Sequence, residues 1–465
     1  MSLTSPGLEA NWRDTSYGAY VQDDWKITPK LTVNLGLRYD FFTPVVDVYD
    51  RRAVFDFADN AIKVVGTNGI PRSGYQPDRN NFAPRLGFAF LPFGGTKFVA
   101  RGGYGIFYDK ENWNSHAGLN NQPMFRTSRQ FDRPGSISQA LTGAGNIPLP
   151  NVNAMQSEFR DAYYQQWNVF VESEPLEATV FGIGYVGSKG SNLPAQIDIN
   201  QPTPGTGSAQ ARRPLPQYAA INYLYSGSSS TYHSLQTRIE RRFRQGLSFL
   251  TTYTLGKAVD DAPLYGGSAP DARNPKAARG PANTDSRHRF SGSFIYELPF
   301  GPGKRFVRDA GGLRSILLGS WQVNGIVTRA SGVPFTPTIA QDVAGTARTN
   351  SQWPNRVCGG RLDERTADRW FDASCFTVPA SGTFGTAGRN ILVGPGLTNV
   401  DVSVFKIFPV ATGKLIQFRV EVFNLFNHVN LGQPNATIDA PLTVGRISTT
   451  STDARQIQLA LKYTF

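Results

Sequence analysis

The sequence contains no run of about 18–20 consecutive apolar residues, the length that a membrane-spanning helix requires. Its mean hydropathy is -0.31, and hydrophobic residues make up 40% of the 465 positions. Both observations exclude a bundle of transmembrane helices. They leave open a membrane-spanning β-sheet, because only alternate residues of each strand contact lipid.

Residues that carry catalytic or metal chemistry are also scarce. The four histidines are widely separated, at His116, His233, His288 and His428. The motifs HExxH, GxSxG and GxxxxGK[ST] do not occur, so the usual signatures of zinc proteases, α/β-hydrolases and P-loop proteins are missing. We predict a protein that is not an enzyme and has no cofactor or metal. A Ser/His/Asp or Asp/His site, formed by residues distant in sequence, is the alternative.

Two further segments are candidates for a disulfide or a metal site: one contains the two cysteines and the other contains four aspartates. Cys358 and Cys375, the two cysteines, flank a short polar segment, which predicts a disulfide in an oxidising compartment; two free thiols are the alternative. A zinc site is disfavoured because no other Cys or His lies nearby. Four aspartates in one segment are candidate Ca²⁺ ligands: Asp47, Asp50, Asp56 and Asp59. Their spacing lacks the glycine and terminal glutamate of a calcium loop, which favours a solvated surface.

Strand-forming and turn-forming residues are abundant, with 31 Phe, 18 Tyr, 47 Gly and 31 Pro. Apolar and polar residues alternate with period 2 in segments of about 10–13 residues, the length of a tilted membrane-spanning strand. This pattern predicts an all-β, antiparallel transmembrane β-barrel wall. The thirteen predicted strands cover residues 17–26, 31–41, 82–91, 97–108, 162–172, 176–187, 231–243, 247–256, 287–299, 319–329, 397–408, 415–426 and 455–465.

The connections between these strands alternate between short turns and long loops. Turns such as residues 92–96 and 409–413 are short, whereas the intervening loops cover residues 43–81, 109–161, 188–230, 257–286, 330–396 and 427–454. Outer-membrane barrels have short periplasmic turns and long extracellular loops. The pattern therefore predicts that the long loops lie outside the cell.

The formal net charge is +12, with 47 Lys and Arg against 35 Asp and Glu. A basic protein of this kind is a candidate for nucleic-acid binding when its basic residues cluster. Here they are dispersed, apart from RIERRFR at residues 238–244. We therefore predict no nucleic-acid partner, and we assign the charge to a solvated lumen and to loops that face anionic lipid head groups.

The last predicted strand has the clearest alternation in the chain. Its apolar positions are Ile457, Leu459, Leu461, Tyr463 and Phe465. It resembles the terminal strand of bacterial outer-membrane β-barrels, in which this pattern serves as the signal for the barrel insertion machinery. The resemblance implies that the apolar side chains contact lipid.

Other segments resemble the TonB-dependent receptors, in particular the Oar-like group with a carboxypeptidase-regulatory-like amino-terminal domain. They include YGAYVQDDWKITPKLTVNLGLRYDFF, NNFAPRLGFAFLPFGGTKFVARGGYGIFYD, VCGGRLDERTADRWFDASCF and FRVEVFNLFNHVN. The resemblance covers essentially the whole chain. It implies a barrel of about 22 strands around an amino-terminal plug that is preceded by a TonB-contacting box.

The resemblance implies that residues 1–465 correspond to the carboxy-terminal barrel region of such a receptor, and that the plug, the TonB box and a signal peptide are absent. The opening MSLTSPGLEANWRD has no basic and apolar leader segments. An odd number of strands also places the start of the first strand outside the cell. We expect a fragment or a misplaced start, unable to transport alone and unstable because two sheet edges are unpaired.

The resemblance implies an outer-membrane receptor for an unidentified extracellular nutrient, coupled to TonB only through the missing plug. Outer-membrane lipid and lipopolysaccharide are the other expected partners. A passive porin or structural barrel without TonB coupling is the main alternative, and a soluble secreted β-rich adhesin is the third. Aromatic residues in the loops are the candidate ligand contacts: Trp113, Tyr223, Tyr225, Trp353 and Trp370. Tyr and Trp near strand ends are expected to form interfacial girdles rather than a sugar-stacking platform.

Overall fold

The fold is almost entirely β. The computed structural model describes residues 2–4, 9–93, 95, 97–110, 113–126, 128–130, 148–261, 269–301, 303–308, 312–411 and 413–465. Its main element is a sheet of fifteen strands, thirteen of which follow one another in a continuous antiparallel path. Each strand on this path pairs with its neighbours in the chain. The predicted antiparallel sheet and its thirteen long strands are therefore confirmed.

The strands of the path are, in order, β1 Ser16–Thr28, β2 Leu31–Phe42, β3 Phe82–Phe90, β4 Phe98–Asp109, β5 Ala162–Leu176, β6 Thr179–Asp198, β7 Ile221–Arg244, β8 Leu247–Asp260, β9 His288–Glu297, β10 Trp321–Ala330, β11 Leu397–Ala411, β12 Lys414–Phe423 and β13 Gln456–Thr464. Val152–Met155 joins β7 in parallel, and Gly280–Pro281 joins β8. Within the described residues, β1 and β13 each have one neighbour and form the two edges of the sheet.

Short elements occupy the connections. The helices are α1 Trp113–Asn120 and α2 Gly312–Leu318, with 3₁₀ turns at Gln210–Arg212, Pro275–Ala278 and Ala373–Cys375. The short strand pairs are Ser2–Thr4 with Ser128–Gln130, Trp12–Arg13 with Val46–Asp47, Ala53–Asp56 with Ala61–Val64, Pro334–Phe335 with Leu392–Val393, and Asn355–Arg356 with Phe376–Thr377. None of the described helices combines the length and the apolar character needed to cross a membrane.

Strand register separates the sheet into two chemically different faces. Val323, Val404, Val420 and Leu459 form one row across β10 to β13. The adjacent row consists of Asn324, Ser403, Glu421 and Gln458. Because successive side chains of a strand point to opposite faces, the first row belongs to an apolar face and the second to a polar face. These two names are used below.

The apolar face is exposed, whereas the buried apolar clusters lie in the loops. Leu86, Leu459 and Leu461 on this face are 52%, 67% and 73% exposed. The largest buried cluster instead joins residues of the long connections, including Val54 and Phe159. A water-soluble sheet buries one face against a second layer. The reversed arrangement here requires an apolar solvent around the strands.

Two strands, β6 and β7, are much longer than predicted. β6 continues through Asp198 and β7 starts at Ile221, so much of the predicted loop at residues 188–230 is strand. The extension includes the polar stretch Ser226–Gly227–Ser228–Ser229–Ser230, which has no apolar alternation. Backbone pairing nevertheless continues through two register shifts. Period-2 alternation is absent here, because these residues lie beyond the part of the sheet in which one face is apolar.

The turn between β7 and β8 closes a tight hairpin at the short-turn end of the sheet, opposite the long loops. Gln245 and Gly246 both have positive φ, at 53° and 81°. Two central residues of this kind form the type I′ geometry that matches the twist of antiparallel strands. A Cβ on Gly246 would lie 2.9 Å from the carbonyl oxygen of Glu297. Glycine is therefore required at this position.

Candidate functional site

The polar face carries ion pairs between residues two positions apart or on neighbouring strands. Arg38 and Asp40 are 2.8 Å apart, and Arg419 lies 3.8 Å from Glu421. Arg101 pairs with Glu172 across the β4–β5 ladder. These two residues also line a cavity of about 330 Å³ on this face. Charged groups on this face are stabilised by water and by one another, as expected for a hydrated face of a membrane-spanning sheet.

The aromatic residues near the strand ends lie on the apolar face. By register this set comprises Tyr17, Trp25, Tyr39, Tyr108, Trp167, Tyr185, Tyr253 and Trp321. Two of them contact histidines, since the hydroxyls of Tyr185 and Tyr253 lie 2.7 and 2.8 Å from Nδ1 of His233 and His288. This placement favours interfacial girdles over a ligand platform.

The predicted ligand-contact aromatics occupy three different environments. Tyr223 and Tyr225 stack with ring centroids 5.8 Å apart on the extension of β7. Trp370 is half-buried in the loop between β10 and β11. Trp353 is only 7% exposed and packs against alanines, so we do not retain it as a ligand contact. The side chain of Trp113 lies outside the described residues.

Tyr223 and Tyr225 extend a larger aromatic cluster from another loop. Phe57, which is 50% exposed, meets Tyr223 edge to face at 5.5 Å, and Phe55 meets Phe57 in the same way at 5.5 Å. The hairpin of Ala53–Asp56 and Ala61–Val64 is thus joined to β7 by ring contacts. The sequence places these two segments far apart, so alternation alone does not reveal the cluster.

The loop between β10 and β11 is held together by a disulfide. Cys358 and Cys375 are bonded, with their Cα atoms 4.8 Å apart. Cys375 packs with Phe371, Phe376 and Leu392 in a buried cluster. Closing a loop of this length stabilises the folded state by about 3 kcal/mol, because it lowers the conformational entropy of the unfolded chain. The loop therefore presents a fixed surface.

This surface contains a cavity of about 500 Å³, which we call the arginine pocket. It is lined by Arg356, Arg361, Arg365, Trp370 and Phe371, among others. The guanidinium carbon of Arg365 lies 5.5 Å from the centroid of the Trp370 ring. Within the described part of the chain, none of the three arginines forms an ion pair with a carboxylate. Uncompensated guanidinium groups beside an aromatic ring are suited to binding an anionic ligand.

The electrostatics of the pocket agree with this chemistry. Burial lowers the pKa of Arg365, and repulsion from Arg361 lowers it further. Arg365 remains charged at neutral pH, because an arginine does not lose its proton in this range. A bound anion would relieve the repulsion between the two arginines.

The sequence does not predict this pocket, because the basic residues are dispersed along the chain. The signal was present in VCGGRLDERTADRW, where three basic residues alternate with acidic ones. Asp363 and Glu364 hide the local charge excess. They do not pair with the pocket arginines, which becomes evident only from the loop geometry.

A buried arginine anchors the same loop to the sheet. Arg389 pairs with Asp260 at the end of β8, and its Nε donates to the carbonyl oxygen of Ala278 at 2.7 Å. The two side chains are 4% and 13% exposed. Asn390 next to it donates to the carbonyl of Pro281 at 2.7 Å. These bonds connect two long loops and fix the position of the arginine pocket.

The candidate calcium ligands in the first long loop are divided among separate partners. The set is Asp47 with Arg51, Asp50 with Arg72, and Asp56 and Asp59 with Lys63. Asp47 also accepts backbone N–H groups from Asn11 and Tyr49, at 3.0 and 2.9 Å. Among the described residues, no three His, Cys, Asp or Glu side chains are placed to share a metal ion.

A pair of close carboxylates lies where β5 begins. Asn81 Nδ2 donates to Asp161 at 2.7 Å, and Asp161 N–H donates to Asp78 at 3.1 Å. Burial and, to a smaller extent, the charge of Asp78 raise the pKa of Asp161 to about 6, against a lowering effect of the Asn81 hydrogen bond. Asp78 is itself paired with Arg160.

This raised pKa predicts that the contribution of Asp161 to stability falls as the pH rises from about 4 to about 6. The folded state holds the Asp161 proton more tightly than the unfolded chain, whose value is near 3.8. Asp161→Asn is therefore expected to raise the free energy of unfolding at pH 7 by about 2 kcal/mol and to flatten its pH dependence. Urea unfolding of the protein in detergent from pH 4 to pH 7 measures both effects. Equal slopes for the variant and the wild type would contradict the prediction.

Comparison with known proteins places this chain in a family and finds structures of similar fold. The model of the outer membrane beta barrel domain family matches residues 2–458. No curated protein matches the sequence significantly. Among solved structures, the outer membrane transporter YddB from Escherichia coli aligns with a TM-score of 0.52 at 9% identity, covering 97% of this chain and 45% of that one.

Two receptors give similar values. The ferripyoverdine receptor of the outer membrane of Pseudomonas aeruginosa, bound to ferripyoverdine, aligns with a TM-score of 0.50 at 10% identity, covering 98% of this chain and 39% of that one. For the ferric-catecholate import receptor Fiu from E. coli the TM-score is 0.49 at 11% identity, covering 98% and 45%. At such identities the likeness to YddB and to the ferripyoverdine receptor is one of fold alone. The chain spans less than half the length of each structure.

Proposed function

This chain belongs to the outer membrane beta barrel domain family, and we propose that it forms wall and extracellular loops of a TonB-dependent receptor that takes up a nutrient. Its location is the bacterial outer membrane. The observation that carries the proposal is the arginine pocket in a disulfide-closed loop, on the same sheet as a polar, ion-paired face. Such an arrangement combines a binding site at the long-loop end with a hydrated face along the strands.

The ligand that best fits the pocket is anionic. Arg356, Arg361 and Arg365 supply donors that match carboxylate or phosphate oxygens, and Trp370 supplies a flat apolar surface. Tyr223 and Tyr225 are a second proposed contact surface, together with Phe57. No catalytic role is proposed for any of these residues.

We further propose that residues 1–465 are the carboxy-terminal portion of a larger Oar-like barrel of about 22 strands. Two observations support this. The chain spans 39% to 45% of the aligned receptors and transporter. Its edge strands β1 and β13 are almost completely exposed, and exposed strand edges are normally paired or covered. Coupling to TonB would then reside in a plug outside this region, and this region alone would not transport.

The terminal strand has a proposed role in assembly. Ile457, Leu459, Leu461, Tyr463 and Phe465 are all at least 50% exposed, and Tyr463 stacks on Phe465 at 5.7 Å. These side chains form a continuous apolar row that the barrel insertion machinery would contact. In this orientation the short turns face the periplasm and the arginine pocket lies outside the cell.

Uptake by intact cells tests the proposal. Three strains carrying the intact gene, a deletion of the gene, or the intact gene without TonB are grown in one complex medium, and compounds removed from the medium are profiled. We expect an anionic compound that only the first strain depletes. Arg361→Gln is expected to slow its removal roughly tenfold, because a guanidinium–anion bond is lost.

Arg369→Gln is the matched control for this variant, since Arg369 lies in the same loop, is exposed and pairs with Asp372 outside the pocket. It is expected to deplete the compound at the wild-type rate. Outer-membrane levels of both variants are measured by immunoblot. Depletion that persists without TonB would refute the coupling and favour a passive porin.

A further inference from the structure

A second cavity lies on the apolar face at the long-loop end of the sheet. Its volume is about 860 Å³. Its floor is one register row of four strands, formed by Tyr253, Phe290, Arg329 and Thr398. By strand register these four residues belong to the apolar face. The cavity therefore opens away from the polar face.

The loop between β10 and β11 overhangs this floor. Arg365, Trp370 and Val393 line the cavity from above, and the indole N–H of Trp370 donates to the carbonyl of Val393 at 2.9 Å. His288 is held at the side, because its backbone N–H donates to the Ser331 hydroxyl at 3.0 Å. The cavity is therefore a built feature with a rigid roof and floor.

Arg329 is the unusual member of the row. It is the one charged side chain among the four residues of the floor, it is exposed, and it has no carboxylate within ion-pair distance in the described part of the chain. A charged arginine near the membrane interface costs little when it reaches polar groups. With Arg365 above it, the cavity has two guanidinium groups beside the aromatic rings of Phe290 and Trp370.

We infer that this cavity binds the phosphorylated headgroup of an outer-leaflet glycolipid. Its phosphate oxygens accept hydrogen bonds from Arg329 and Arg365, and the first methylene groups of its acyl chains lie on Phe290 and Tyr253. Arginine forks match phosphate geometry, and basic pockets at a membrane surface select anionic lipids. The inference rests on the proposed orientation with long loops outside the cell, and it does not require uptake.

The test uses the intact protein in phosphatidylcholine nanodiscs that contain bisphosphorylated lipid A, and bound lipid is counted by native mass spectrometry. We expect the wild type to retain lipid A. Arg329→Gln is expected to weaken binding roughly tenfold, and Arg329→Lys is expected to restore most of it. Arg289→Gln is the matched control, because Arg289 lies on β9 at the same level but on the polar face.

Three outcomes would overturn the inference. Equal lipid A binding by wild type and Arg329→Gln would show that Arg329 is not a phosphate contact. Equal retention of dephosphorylated lipid A would remove the charge-based recognition. Displacement of lipid A by inorganic phosphate at comparable concentration would show a site for free anions. Arg365 and Trp370 line both cavities, whereas Arg329 lines this one and not the arginine pocket. Loss of lipid binding in Arg329→Gln with normal nutrient depletion therefore separates this site from the proposed receptor function.

Discussion

Replacing Arg389 with methionine is expected to lower the local free energy of unfolding of the loop at residues 331–396 by about 3–5 kcal/mol. Asp260 would stay buried and lose the guanidinium of Arg389, and the carbonyl of Ala278 would lose a donor. Removing one member of a buried ion pair costs far more than the net contribution of the pair to stability. The anchoring of the arginine pocket should therefore fail while the strands stay paired.

Hydrogen exchange of the protein in detergent measures this effect segment by segment. Amides in residues 269–290 and 331–396 should exchange faster in Arg389→Met, and amides of β11 and β12 should not change. Adding Asp260→Asn should recover part of the protection, since it removes the buried negative charge that Arg389 no longer balances. Nutrient depletion by the variant should fall together with the protection.

Arg273→Met is the matched control. Arg273 pairs with Asp271 at 3.0 Å in the neighbouring loop, and the two side chains are 44% and 29% exposed. An exposed pair contributes at most about 1 kcal/mol. Equal exchange in the two arginine variants would mean that burial of the Arg389 pair does not determine loop anchoring.

The part of the fold that the sequence predicts is the set of strands with one face in lipid and the other in water. Leu459, Leu461 and Tyr463 alternate with Gln458, Ala460 and Lys462 because one face is apolar and the other is hydrated. That constraint recurs in every strand of the path, so all thirteen strands can be located from period 2 alone. Strand pairing then follows from chain order, because short turns connect neighbours.

Beyond the two-solvent region this constraint disappears. The extension of β7 through Ser228 is determined by backbone pairing with β6, which leaves no trace in the composition. Trp353 illustrates the same limit for function. An aromatic residue in a polar loop is a reasonable ligand contact, yet here it fills a small core between Ala278 and Ala387. Loop burial depends on contacts between segments far apart in sequence, which a single sequence does not display.

Val404→Arg is expected to destabilise the sheet by about 2–4 kcal/mol, the cost of a guanidinium at mid-depth on a lipid-facing strand. Val404 lies centrally in β11, between Val323 and Val420 on the apolar face. A charge there has no partner and no water. Urea unfolding in phospholipid vesicles measures the cost, and the fraction of protein recovered in outer membranes reports on assembly.

Ser403→Arg is the control that makes this test specific, because Ser403 is the adjacent residue on the polar face. Glu421 lies directly opposite it on β12, so the new arginine gains a carboxylate partner and water. We expect a change within about 1 kcal/mol and normal membrane recovery. Equal losses for the two variants would mean that both faces of β11 meet the same environment, which would refute the assignment of the apolar face to lipid. A selective loss for Val404→Arg would assign an apolar and an aqueous environment to opposite faces of one strand.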